Sequence, residues 1–203
     1  VFAFVAGGAS AIMDRVDYGD IIAFTGSADT ARRIRTHARV VERSVRVNVE
    51  ADSLNAAVLG PDVDIGSDAM TLFAKDVVRE ITQKAGQKCT AVRRIVVPRE
   101  RSEAVIEALS SRLVEVTVGD PTRSDVAMGP LATKAQLDDV RAGIVELSSE
   151  TRPVFGDPTK PVDAKGVEPG RGWFHPIVLL RERDGVGSKC IHEREVFGPV
   201  ATV

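Results

Sequence analysis

SDAMTLFAKDVVREITQK, residues Ser67 to Lys84, places Met70, Phe73, Ala74, Val77, Val78 and Ile81 at steps of three and four. That spacing lines one face of a 3.6-residue helix with apolar side chains and leaves the opposite face charged. Ser67 or Asp68 can cap the first turn, and Gly86 suits the stop. The next residues, KAGQKCTA (Lys84 to Ala91), form a glycine-containing turn with Cys89 in it. RRIVVP (Arg93 to Pro98) then reads as a buried strand closed by proline. Helix, turn and strand in this order are the unit from which an α/β fold is built.

Outward from this unit the same alternation continues. Toward the N-terminus, Val1 to Val5 and Asp20 to Phe24 (DIIAF) read as strands, with a short helix over Ala11 to Val16 between them. A basic helix is expected over Ser27 to Val40. Ser44 to Val49 (SVRVNV) alternates as a strand does, and Ala56 to Leu59 is a further short strand. Toward the C-terminus, Glu103 to Leu113 and Thr133 to Leu147 read as helices. VTVGDP (Val116 to Pro121) reads as a strand running into a turn. A Pro/Gly/Asp-rich stretch spans Arg152 to Gly172, and Phe174 to Leu180 reads as a strand. The organisation expected is an α/β chain divided near Glu50. Residues 1–49 are the C-terminal part of a doubly wound nucleotide-binding domain, and residues 50–203 are a second α/β domain that bears the cysteine.

Composition narrows the class. The 203 residues are 43% hydrophobic and 28% charged, with a net charge of −2, which suits a globular protein. Acids and bases are interspersed, so neither a nucleic-acid surface nor an anionic-membrane patch is expected. No apolar run reaches the roughly 18 residues of a membrane helix. The opening VFAFVAGGASAIM lacks the basic flank of a signal peptide. Two cysteines are too sparse for a disulfide scaffold, so a reducing cytoplasm is expected. Neither has metal-ligand spacing to His37, His175 or His192, and no metal or histidine role is assigned. The chain opens without an initiator Met on a strand-like run and stops at FGPVATV, so it reads as a piece of a longer protein.

On its own residues, Cys89 is either a nucleophile on an exposed turn or a small buried apolar group. A turn provides exposure and backbone N–H groups for an oxyanion, which a helix interior does not. Glu50, 39 residues earlier at the end of an alternating strand, is either a general base or a solvated carboxylate, with Asp52 as a nearby rival. Thr25, Gly26 and Ser27 open a helix after a strand, which suits an anion or a plain cap. Glu195 and Phe197 read equally well as a surface carboxylate and a core ring. Cys190 has no motif around it and reads as structural.

Five segments in a fixed order shift these alternatives. GQKC (Gly86 to Cys89) resembles the Gly-Gln-x-Cys nucleophile motif of the aldehyde dehydrogenase superfamily. FTGS (Phe24 to Ser27) resembles its cofactor-binding turn, and VEADSLN (Val49 to Asn55) lies where its general-base glutamate does. VGDP with MGPL (Val118 to Pro121, Met128 to Leu131) and EVFGPV (Glu195 to Val200) resemble motifs of its catalytic domain.

The resemblance implies an aldehyde dehydrogenase-like fold with Cys89 as nucleophile and Glu50 as base. It implies Phe24, Thr25, Gly26 and Ser27 near the cofactor pyrophosphate. Glu195 would hold the nicotinamide ribose hydroxyls, and Phe197 would pack on the cofactor. The chain departs from most members in having Ala51 and Asp52 where they have Gly-Gly after the glutamate. It also has Ala31 where they have Gly four residues after the FTGS serine.

VNVEADSLN with QKAGQKCTAVRRIVVP is similar to a narrower branch that oxidises an aldehyde carried on a ring-cleaved acyl-CoA from phenylacetate or benzoate degradation. The branch implies NADP, or else NAD, as cofactor and a small-molecule aldehyde, a CoA thioester, as partner. It also implies a homo-oligomeric, cytoplasmic parent enzyme. A CoA-acylating dehydrogenase and a non-catalytic scaffold are the alternatives. The 203-residue piece alone is expected to be inactive, because a second oxyanion donor and much of the dinucleotide cradle would lie upstream.

Overall fold

The computed structural model describes residues 2–8, 10–183 and 187–203. It divides into two compact units, Val1–Asp52 and Ser53–Val203. The strand that ends the first unit carries Glu50 with it.

The first unit runs α1 (Ser10–Met13), β1 (Ile21–Gly26), α2 (Ala28–Arg35), α3 (Ala38–Glu42) and β2 (Arg46–Ala51). β1 and β2 pair in parallel, with Thr25 opposite Glu50 and Gly26 opposite Ala51. A small core of Val16, Val40 and Val45 is filled out by Met13, Ile22 and Val47. Two expectations fail here. Residues 2–5 form no strand, and Phe2 and Phe4 stand exposed. The single helix expected over Ser27 to Val40 is two helices. Both the backbone N–H and the hydroxyl of Thr36 bond back to Arg32 O, which ends α2 one residue earlier.

The second unit runs β3 (Asn55–Val58), α4 (Asp68–Thr82), β4 (Val92–Val96), α5 (Ser102–Leu113), α6 (Lys134–Leu147), β5 (Thr151–Phe155), β6 (Val178–Glu182), α7 (Cys190–Glu193) and β7 (Val200–Thr202). Its sheet has the order β3-β4-β7-β6-β5, parallel throughout except for the antiparallel edge strand β5. The helix read from periodicity is α4. Ser67 caps it by accepting from Met70 N–H, and Met70, Ala74, Val77 and Ile81 are buried. They share one core with Leu109 and Leu113 of α5, Val140 and Ile144 of α6, and Val178, Leu179 and Val200 of the sheet.

β5 takes in the start of the Pro/Gly/Asp-rich stretch that begins at Arg152, where no strand is expected. At a sheet edge a proline can sit in a strand without depriving an inner ladder of a donor. VTVGDP makes only two isolated bridges, Val118 with Met128 and Gly119 with Lys165, and is not a strand. The strand expected from Phe174 begins at Val178.

Candidate active site

Cys89 follows a sharp reversal at the end of α4. Thr82 closes the helix, and Lys84, Ala85 and Gly86 then take left-handed conformations in succession, with φ of 54°, 53° and 70°. Left-handed non-glycine residues each cost roughly 1–2 kcal/mol, and such strain persists only where the surroundings enforce it. Gly86 has no freedom of identity. A Cβ there would lie 2.1 Å from Gly198 O and 2.9 Å from Ile81 O, both backbone atoms.

The reversal leaves Cys89 exposed as a free thiol, so it is not the buried apolar group that its residue type alone allowed. Its carbonyl is pinned. Ser53 Oγ donates to Cys89 O at 2.5 Å and Asn55 Nδ2 donates to it at 2.7 Å, while the other amide hydrogen of Asn55 serves Ala91 O at 3.1 Å. Among the described residues no protein group accepts from the Cys89 N–H, which leaves a backbone donor of the kind that stabilises an oxyanion. Lys88 points its ammonium back to α4, 2.7 Å from Glu80 Oε2 and 2.7 Å from Gln83 Oε1.

The segment Glu195–Gly198 lies against this turn. Gln87 bridges outward from it, donating to Phe197 O at 3.4 Å and accepting from Ala132 N–H at 2.9 Å. Arg93 on β4 is 5% exposed. Its Nη2 donates to Gly86 O at 2.7 Å and its Nη1 to Gly198 O at 2.8 Å; Nη2 also lies 3.5 Å from Glu195 Oε1. The guanidinium stands 5.5 Å from the centroid of the Phe197 ring. Burial pushes the Arg93 pKa below the usual arginine range, and the Glu195 charge restores part of the shift. Glu195 Oε2 accepts from Ser53 N–H at 3.1 Å.

These contacts bring Cys89, Glu195 and Phe197 into one cluster. Two acceptances leave the Glu195 carboxylate with free lone pairs, as a diol ligand requires, and Phe197 keeps an exposed ring. The residues present therefore fit a ribose and an aromatic cofactor ring at this place.

Phe24, Thr25, Gly26, Ser27 and Glu50 belong to the first unit. Glu50 is exposed on β2 beside Thr25. Ser27 caps α2 by accepting from Thr30 N–H, and the Phe24 ring lies over Gly26, where a Cβ would approach it to 2.5 Å. Asp52, the rival base, has φ 45° and accepts from Ala28 N–H at 3.1 Å. Its carboxylate is thus engaged at the N-terminus of α2. Ala31, where a glycine was expected, is buried in α2.

Cys190 differs from Cys89. It is half-buried, and burial together with the Glu150 and Glu146 carboxylates pushes its thiol pKa up. Ser53, Asn55, Gln87 and Arg93 were not singled out from sequence. The available signal for Arg93 was a charge inside the apolar run of β4. Among the described residues there is no metal-binding cluster and no helix long and apolar enough to cross a membrane.

The aldehyde dehydrogenase family model matches residues 1–203, and the chain belongs to that family. It is 46% identical over 201 residues to the 3,4-dehydroadipyl-CoA semialdehyde dehydrogenase of Aromatoleum evansii, covering 98% of this chain and 38% of that protein. It is 34% identical over 184 residues to the hydroxyisobutyraldehyde dehydrogenase of Mycolicibacterium austroafricanum, covering 90% of this chain and 33% of that one. The chain thus spans little more than a third of the length of the curated relatives it matches. Among solved structures, a cysteine-to-alanine mutant of aldehyde dehydrogenase C from Pseudomonas syringae, bound to NAD+ and octanal, superposes with a TM-score of 0.76. The two are 26% identical, over 90% of this chain and 35% of that one. Betaine aldehyde dehydrogenase from Staphylococcus aureus, in complex with NAD+, shares the fold at 23% identity with a TM-score of 0.76, over 90% of this chain and 34% of that one.

Proposed function

We propose that this chain carries the nucleophile and general base of an NAD(P)-dependent aldehyde dehydrogenase whose substrate is the semialdehyde of an aliphatic acyl-CoA formed by aromatic ring cleavage. The observation that carries the reading is the Cys89 turn. It combines an exposed thiol, a pinned carbonyl and an unengaged N–H, beside a carboxylate suited to a ribose.

In this reading the Cys89 thiolate adds to the aldehyde carbon, and the Cys89 N–H donates to the resulting oxyanion. Glu195 and Phe197 would hold the cofactor, the carboxylate through the ribose hydroxyls and the ring by packing against it. When bound, the nicotinamide supplies the hydride acceptor for the oxidation. Cys89 then holds the acyl group as a thioester. Glu50 takes a proton from water, hydroxide equivalent adds to the thioester carbonyl, and the carboxylic acid leaves as the thiolate is released. Glu50 is preferred to Asp52 on motif position, and the bond that Asp52 accepts from Ala28 N–H gives its carboxylate a capping role as well.

Substrate class follows from the VNVEADSLN branch and from the 46% identity to a CoA-semialdehyde dehydrogenase. The same branch favours NADP; NAD+ is the cofactor of the solved relatives. The parent enzyme is taken to be a cytoplasmic homo-oligomer. Specificity constants of the full-length protein decide the substrate: 3,4-dehydroadipyl-CoA semialdehyde should exceed acetaldehyde and benzaldehyde by about 10² or more, because remote contacts to the CoA moiety are converted into rate. A simple aldehyde as the better substrate would overturn the assignment.

A further inference from the structure

Arg93 is an expensive residue to bury. Removing a guanidinium from water is costly unless its partners are well placed, and among the described residues only one carboxylate forms an ion pair with it, at 3.5 Å. The Nε group is buried with no hydrogen-bond partner among the described residues. Fold stability alone would be served as well by an apolar side chain on β4. What the guanidinium does, and an apolar group could not, is hold two loops. One terminal nitrogen serves Gly86 O, three residues before the nucleophile, and the other serves Gly198 O. Those loops approach so closely that a Cβ on Gly86 would stand 2.1 Å from Gly198 O.

A second route closes the circuit. Glu195, beside Arg93, accepts from Ser53 N–H, and Ser53 Oγ donates to Cys89 O. We propose that Arg93 is a positioning residue that locks the Cys89 turn to the Glu195–Phe197 segment. One side chain would then set both the attitude of the nucleophile and the seat of the ribose-binding carboxylate. The inference rests on the roles assigned above to Cys89 and Glu195.

The test uses the full-length enzyme with Arg93→Met, Arg93→Lys and Glu195→Gln, singly and with Arg93 and Glu195 changed together. Two quantities are read: the iodoacetamide alkylation rate of Cys89, mapped by peptide mass, and the cofactor Kd by calorimetry. Displacing a reacting group by about 1 Å costs roughly 10²-fold, so Arg93→Met should slow alkylation and weaken cofactor binding by at least about tenfold each. Arg93→Lys, with one compact ammonium for two carbonyls, should show smaller losses in both.

The Kd penalties of Arg93→Met and Glu195→Gln should be clearly less than additive, whereas a general loss of packing would add to the Glu195 effect. If Arg93→Met does not fold, Arg93→Lys decides. Either variant, folded, with alkylation or cofactor Kd within twofold of wild type overturns the inference, as do additive penalties. Unchanged cofactor Kd in Glu195→Gln alone would instead remove the underlying assignment of Glu195.

Discussion

The chain carries two turns assigned to chemistry, and they are held in different ways. The Gly26–Ser27 turn of the first unit is exposed, and its bonds are those of a helix start: Ser27 to Thr30, and Asp52 to Ala28 from the neighbouring strand end. The Lys84–Cys89 turn of the second unit has a buried foot in Ala85 and Gly86. Its partners come from β3, β4, the Ala132 loop and the Phe197 segment. A turn built from local caps can be altered one residue at a time. A turn built from long-range contacts has its strain enforced from several sides, and the nucleophile proposed for the second turn needs that precision more than the phosphate contact proposed for the first.

The sharpest way to break this comparison is to put alanine at a left-handed residue that serves each turn, Gly86 within the second and Asp52 at the strand end that bonds the first. Gly86→Ala meets two backbone oxygens with no room to move. It should lower stability by more than about 3 kcal/mol, with loss of activity. Urea unfolding of the full-length protein checks this, and a wild-type midpoint would show that the turn is not interlocked. Asp52→Ala should cost less, about 1–2 kcal/mol, through a lost cap and an alanine at positive φ. Asp52→Gly should be closer to neutral, since glycine relieves the backbone while the cap is lost. If Asp52→Ala proved as damaging as Gly86→Ala, the first turn would be under the same long-range constraint as the second.

The legibility of the sequence follows the same division. Helix α4 was readable because its burial pattern is periodic and its cap is local, and GQKC, EVFGPV and FTGS were readable as segments. The departure at Asp52 has a physical account only in three dimensions. The position requires positive φ, which aspartate tolerates better than most residues, and its carboxylate gains the Ala28 N–H. The clamp around Cys89 was not readable, because Ser53 and Ala132 meet the turn from positions up to 45 residues away with no pattern to announce them, and a charge inside the run of β4 does not say which carbonyls Arg93 serves. The same holds for β5, whose Pro153 signals a loop until the strand is seen at the sheet edge.

The central claim is that acyl transfer runs through Cys89 with Glu50 as the deacylating base, and trapping the acyl-enzyme tests it most directly. In the full-length protein, Glu50→Gln incubated with the CoA semialdehyde and cofactor should give a burst of reduced cofactor of about one per site, followed by slow turnover. Peptide mass mapping should find the acyl group on Cys89 and none on Cys190, whose thiol pKa is pushed up by burial and the Glu150 carboxylate. Wild-type steady-state turnover without a burst, or an acyl group mapped to Cys190, would contradict the account.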